Sequence, residues 1–100
     1  MSDYRLTPAA RRDLEAIWRF TCAQWNADQA DRYLDQFTDA FRVLAATPGI
    51  GPTCDHVQRG GRRWPMERHM IYFRIMPYGV AVIRILHDRM DARRHLAKRT

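Results

Sequence analysis

The sequence is poor in cysteine, in lysine and in long apolar runs. Cys22 and Cys54 are the only cysteines among 100 residues. Two do not make a disulfide framework, so the fold must rest on its apolar core. No apolar run exceeds four residues, as in Met70–Phe73 or Val80–Ile83, whereas a spanning helix needs about 20. The start, Met1-Ser2-Asp3-Tyr4-Arg5, has neither a basic nor an apolar stretch of the kind a secretory signal carries. The expected compartment is therefore the cytoplasm, with no membrane partner. His56, His69, His87 and His95 show no HxxxH spacing, and CxxC, GxSxG, P-loop and GxGxxG patterns are missing. No metal and no cofactor is expected. Repeats and low-complexity segments are absent as well.

What is present suits one compact domain over residues 1–100, with 46% hydrophobic and 11% aromatic residues. The net charge is +6, unevenly spread. Residues 1–50 carry six Arg and seven acids, while residues 51–100 carry eleven Arg or Lys and four acids. A basic half of this kind fits an anionic partner, either nucleic acid or an acidic protein surface. Codon bias also explains it, since all the bases but Lys98 are arginine.

Tyr4-Arg5-Leu6 reads as a short strand, and Thr7-Pro8 as an N-cap with proline at the first helical position. Leu14, Ile17, Trp18, Thr21 and Trp25 follow helical spacing, which predicts a helix from Pro8 to Trp25 and makes both tryptophans core positions. Asn26 caps a second helix, whose stripe is Ala30, Tyr33, Leu34, Phe37, Phe41 and Leu44; it ends near Ala46, before Pro48. Asp31, Asp35 and Asp39 lie on its solvated face. Arg62–Met66 reads as a strand, which Pro65 either restricts to a sheet edge or makes irregular. His69–Met76 and Val80–His87 form a hairpin over a three-residue turn, Pro77-Tyr78-Gly79, which pairs Met76 with Val80 and Tyr72 with Arg84. In that register Ile71, Phe73, Ile75, Ala81, Ile83 and Ile85 face the helices. Met70, Tyr72, Arg74, Val80, Val82, Arg84 and Leu86 form the other face. Such a mixture of arginine and large apolar groups suits a protein partner, or coverage by a helix within Met90–Leu96. The expected class is α+β: an N-terminal strand and a long αα-hairpin packed on a small, mostly antiparallel sheet.

These residues resemble the ParE toxins. The resemblance is carried by Tyr4-Arg5-Leu6-Thr7 with Ala10, Asp13-Leu14 and Ile17-Trp18, then by Trp25, Gln29-Ala30 and Tyr33. It continues through Leu44-Ala45, Pro48-Gly49-Ile50-Gly51, Gly61-Arg62-Arg63 and His69–Arg74. The run Arg84–Asp91 followed by Arg94-His95-Leu96 is its most specific piece. The resemblance implies the RelE/ParE fold and the toxin role in a type II toxin–antitoxin pair. It implies a ParD-like antitoxin; an acidic, amphipathic tail would suit the mixed sheet face, folding on binding as a helix in a groove or an added strand. It also implies DNA gyrase as target, blocked without catalysis and without sequence-specific contact to nucleic acid. Tyr72, Arg74 and Arg84 are the expected antitoxin contacts; Arg89, Met90, Arg93 and Arg94 are the expected target contacts. The alternative is a RelE-like ribosome-dependent mRNA endonuclease. RNA cleavage needs a base, a cation for phosphate and an acid, roles open to His87, Arg84, Arg74 and Glu67.

Overall fold

The computed structural model describes residues 2–90 and 92–96, with the backbone alone at residue 93. Strand β1 (Asp3–Leu6) leads into helix α1 (Pro8–Gln24). The Thr7 hydroxyl accepts from the Ala10 amide, so the predicted cap is the one used. Helix α2 (Ala27–Ala46) starts after Asn26, whose side-chain oxygen accepts from the Gln29 amide. A short 3₁₀ turn, Pro48–Ile50, follows. Then come β2 (Arg62–Met66), β3 (His69–Met76), β4 (Gly79–His87) and a short helix, α3 (Ala92–Leu96).

The sheet order is β1-β4-β3-β2. Strands β2, β3 and β4 are antiparallel, while β1 lies parallel to β4. Pro65 sits on edge strand β2, where its missing N–H costs no internal ladder bond. The hairpin α1–α2 covers one face of the sheet. Ala10, Ile17, Phe37, Phe41 and Leu44 from the helices meet Ile71, Phe73, Val80, Val82 and Ile85 from the sheet, all buried. This is the α+β architecture expected from the sequence.

The hairpin register departs from the expected one. Met76 pairs with Gly79 across the two-residue turn Pro77-Tyr78, and Phe73 pairs with Val82, yet Tyr72 pairs with Arg84. Ile83 is therefore an extra residue, a β-bulge that switches parity halfway along β4. The physical reason is burial. Below the bulge Val80 and Val82 face the helices and are fully buried; beyond it Ile85 does the same. A regular strand would expose one set or the other. Ile83 instead joins the opposite face, and Ile75, expected against the helices, is 49% exposed.

That opposite face is closed by the chain itself. Leu96 of α3 is fully buried against a second cluster with Cys54, Tyr72 and Leu86, flanked by Met70, Val57 and Ala92. The loop between α2 and β2 completes the cover. Its Cys54 amide donates to the Gly61 carbonyl at 2.9 Å, and the Arg62 Nη1 donates to the Gly51 carbonyl at 2.6 Å. Burial raises the pKa of the Cys54 thiol, which leaves it a protonated core group.

Candidate functional site

Beyond Leu6 the parallel pairing with β4 ends, and the edge of β4 needs other partners. Helix α1 supplies them. The Thr7 hydroxyl donates to the Ile83 carbonyl at 2.7 Å, and the Asp13 carboxylate accepts from the Ile85 amide at 2.9 Å. Asp13 also accepts from Arg84 at Nε (2.7 Å) and at Nη2 (2.9 Å). That fork raises the Arg84 pKa and keeps the guanidinium charged. The pair is largely buried.

Beside the α1–α2 connection lies a cleft of about 630 Å³. One wall is α1 with Ile17, Phe20, Thr21 and the corner residue Trp25; the other is Met90, just past β4. Three of its groups are exposed large hydrophobics: Phe20 at 68%, Trp25 at 73% and Met90 at 48%. An exposed group of this kind marks an interaction surface rather than a missing core. The rim is set by the β2–β3 turn. Met66 pairs with His69, so Glu67 and Arg68 make the turn, and Glu67 adopts a left-handed φ of 55°. That conformation costs a non-glycine residue about 1 kcal/mol and holds both charged side chains at the cleft mouth.

The floor is polar. His69 and His87 pair directly across β3 and β4, with rings 5.4 Å apart and edge to face. The Tyr33 hydroxyl lies 2.8 Å from His69 Nδ1. Burial raises the Tyr33 pKa, and so does Glu67, so the hydroxyl keeps its proton; the direction of its bond with Nδ1 follows the His69 tautomer. Burial, then the neighbouring His87, lowers the His69 pKa below its ordinary 6.5. The neutral form of His69 is thus the folded form, and the unfolded chain binds its proton more readily. Stability from this group is complete above about pH 6.5 and declines as pH falls below it. Urea midpoints are expected to drop between about pH 7.5 and 5.5, and to drop less in His69→Gln. An equal drop in both proteins would place the titration elsewhere.

The residues expected to meet partners are scattered. Tyr72 is buried under Leu96, not open on a free face. Arg84 is bound to Asp13. Arg74, half-buried, pairs with Ala81 on the far half of β3, beside the Gly60 turn. Arg89 and Met90 are exposed together, and Arg94 is exposed on α3; the Arg93 side chain lies outside the described residues. Of the four groups considered for RNA cleavage, His87 and Glu67 share the cleft, while Arg84 and Arg74 are turned to other tasks.

Trp25 corrects the helical-stripe expectation. It is the C-cap of α1, one turn past Thr21, and stands exposed instead of in the core. Trp18 is half-buried and donates its indole N–H to Asp31 across the hairpin at 2.9 Å. Phe20 was legible in one respect: a phenylalanine off the Leu14–Ile17–Thr21 stripe has no core position to occupy.

A family model described as "ParE toxin of type II toxin-antitoxin system, parDE" matches residues 4–92. Toxin ParE1 of Mycobacterium tuberculosis (strain ATCC 25618 / H37Rv) is 41% identical over 96 residues, spanning 95% of this chain and 98% of that protein. Toxin ParE1 of Caulobacter vibrioides is 33% identical, over 96% of this chain and 99% of that one. A solved chromosomal ParDE toxin–antitoxin system from P. aeruginosa shares the fold, with a TM-score of 0.75 at 19% identity over 87% of this chain and 96% of that chain.

Proposed function

Because this chain belongs to the ParE family of type II toxin–antitoxin toxins, we propose that it arrests growth by binding DNA gyrase without catalysis, and that a ParD-like antitoxin holds it silent. The observation that supports the non-catalytic reading is the displacement of Arg84 and Arg74, the cations of the endonuclease alternative; Arg68 is the cation that shares the cleft with His87. An RNA-cleaving site needs a cation at the phosphate beside its base. Arg84 is spent on Asp13, and Arg74 lies half a strand away from His87. Among the described residues no group of three or more metal-binding side chains occurs. No described helix is long and apolar enough to cross a membrane.

The basic end that follows β4 is our choice for the target contact. Arg89, Met90 and Arg94 are exposed there, in the half of the chain with the cationic excess; Arg93 is assigned with them on sequence alone. For the antitoxin, Arg74 remains our proposed contact on the sheet side; Tyr72 and Arg84, expected beside it, are buried and bonded within the fold. The test is a supercoiling assay with purified gyrase beside a ribosome-dependent mRNA cleavage assay. Blocked supercoiling with intact mRNA is the expected result; cleaved mRNA with unaffected gyrase would replace this reading by an endonuclease. Arg89→Ala with Arg94→Ala is expected to relieve growth arrest while antitoxin affinity changes by no more than about 1 kcal/mol, the ceiling for exposed charges. Full toxicity in the soluble double variant would remove both from the target surface.

A further inference from the structure

We propose that Arg5, Arg63 and Arg74 form a phosphate-binding face on the side of the sheet away from the helices, and that this face holds the backbone of duplex DNA without reading its sequence. Such binding is a property of the toxin alone, separate from any contact with gyrase.

Strand pairing brings the three arginines together from three strands. Arg5 pairs with Ala81 across β1 and β4, and Ala81 pairs with Arg74 across β4 and β3. Tyr4 and Leu6, on either side of Arg5, pack into the core under the helices, so Arg5 points the other way. Arg63 pairs with Tyr72, which belongs to the outer cluster, and Arg74 follows Tyr72 by two residues. All three arginines thus share the outer face. Two strand spacings set the backbones at Arg5 and Arg74 about 10 Å apart. Arg63 and Arg74 are diagonal neighbours, about 7–8 Å apart. The bulge at Ile83 turns Ala81 to this face, and its small side chain leaves a shallow floor between Arg5 and Arg74.

These cations are free to meet an anion. Among the described residues no ion pair includes any of the three. The Arg5 guanidinium stacks on the Tyr78 ring, 4.0 Å from its centroid. Stacking fixes its plane and leaves its N–H edge open. Arg74 Nη1 lies against Gly60, where a Cβ would come within 2.8 Å of it. Arg59, exposed beside that glycine, adds a fourth cation. The neighbouring acids are Asp3 and Asp55. Each already accepts a backbone amide at 2.8 Å, from Tyr4 and from Gly60.

A phosphate backbone fits this face better than an acidic peptide does. An amphipathic acidic segment needs apolar pockets beside its charges. The apolar part of the outer face, with Tyr72 and Leu86, is already covered by Leu96 and the Cys54 loop. What stays open is arginine around alanine and glycine, with Met76 at the margin. Guanidinium forks match phosphate oxygens, and such contacts position a protein without specifying a sequence. The charges spread in two directions over a rigid sheet. A duplex presents two backbones side by side across a minor groove about 6 Å wide, whereas a single strand presents one line of phosphates. Given the antitoxin contact proposed above at Arg74, antitoxin and DNA exclude each other there.

The test is fluorescence anisotropy of the purified chain with a labelled random-sequence duplex of about 20 base pairs, at about 50 to 200 mM salt. Wild type is expected to bind, and log K to fall with log salt at a slope of about −2.7, the value for three phosphate contacts. Arg5→Ala with Arg74→Ala is expected to bring the slope to about −0.9 and to weaken binding about tenfold at the lower salt. Arg5→Glu, at an exposed position, is expected to weaken binding in the same way, and it decides the matter if the Arg74 variant does not fold. Arg11→Ala with Arg12→Ala removes equal charge from the exposed side of α1 and is expected to keep the wild-type slope. An equal loss in that α1 variant would mean diffuse attraction to net charge and overturns the site. Unaltered binding by Arg5→Glu also overturns it. Tighter binding to a single strand of the same length overturns the assignment to duplex. Loss of antitoxin affinity in the face variants, with DNA affinity kept, gives these arginines to the antitoxin and overturns the proposal. Absence of DNA binding by folded wild type overturns it too, while the supercoiling assay still reads the gyrase proposal on its own.

Discussion

Asp13→Ala is expected to destabilise the fold by about 3 kcal/mol, because it leaves the part-buried Arg84 cation without its partner. The carboxylate does three tasks. It accepts both nitrogens of the Arg84 fork, and it replaces β1 as the partner of the Ile85 amide. Side-chain exposures of 14% for Asp13 and 20% for Arg84 leave the cation little water to turn to once its partner is gone. The amide at Ile85 is stranded beside it. Arg84→Met removes the charge with its own side chain and leaves Asp13 its backbone donor, so a smaller loss is expected. The double variant Asp13→Leu with Arg84→Met is expected to be less destabilised than the sum of the two, because neither charge remains unpaired. Urea denaturation of the three proteins measures this. A loss below about 1 kcal/mol in Asp13→Ala would show that the pair behaves as a solvated surface bridge.

The second large effect is at Gly79. Gly79→Ala is expected to cost about 3 kcal/mol or more, and to act on the pairing of β1. The residue has a φ of 143°, which side chains rarely adopt. A Cβ there would overlap the Asp3 carbonyl oxygen and lie 2.7 Å from the Asp3 amide. Gly79 is the partner of Asp3 at the head of the parallel ladder, and the Asp3 amide donates to Tyr78. The methyl group and β1 compete for the same space. Hydrogen exchange is expected to show lost protection at Asp3 and Thr7, whose amides bond to Tyr78 and Val82, with the β3–β4 amides less affected. A variant as stable as wild type would mean that β1 shifts at little cost.

The Asp13 effect bears on the cleft described above. Asp13 positions α1 over the end of β4, and through it the wall that carries Phe20 and Trp25.

The sequence by itself determined the elements and the family. Thr7-Pro8 and Asn26 state where two helices begin, since an N-cap and the proline after it are local chemistry. Pro48 states where the second one stops, and Pro65 restricts its strand to an edge. Alternation in β3 and β4 placed a hairpin between them, and Tyr72 opposite Arg84 holds in the structure. Each of these depends on a few neighbouring residues and on the backbone dihedrals they allow. The bulge at Ile83, the Arg84–Asp13 fork and the exposed Trp25 depend on contacts between residues far apart in the chain. Alternation cannot show an extra residue, because the parity on either side of the bulge reads as apolar in both registers. Arginine on a strand looks like a partner contact until a helix from the other end of the chain brings a carboxylate to it. Trp25 continues the spacing of a core stripe, but the core ends where the second helix turns back. Only the packing of α1 and α2 against the sheet decides which residue stands past that limit. Burial is a property of the assembled surface rather than of the periodic sequence.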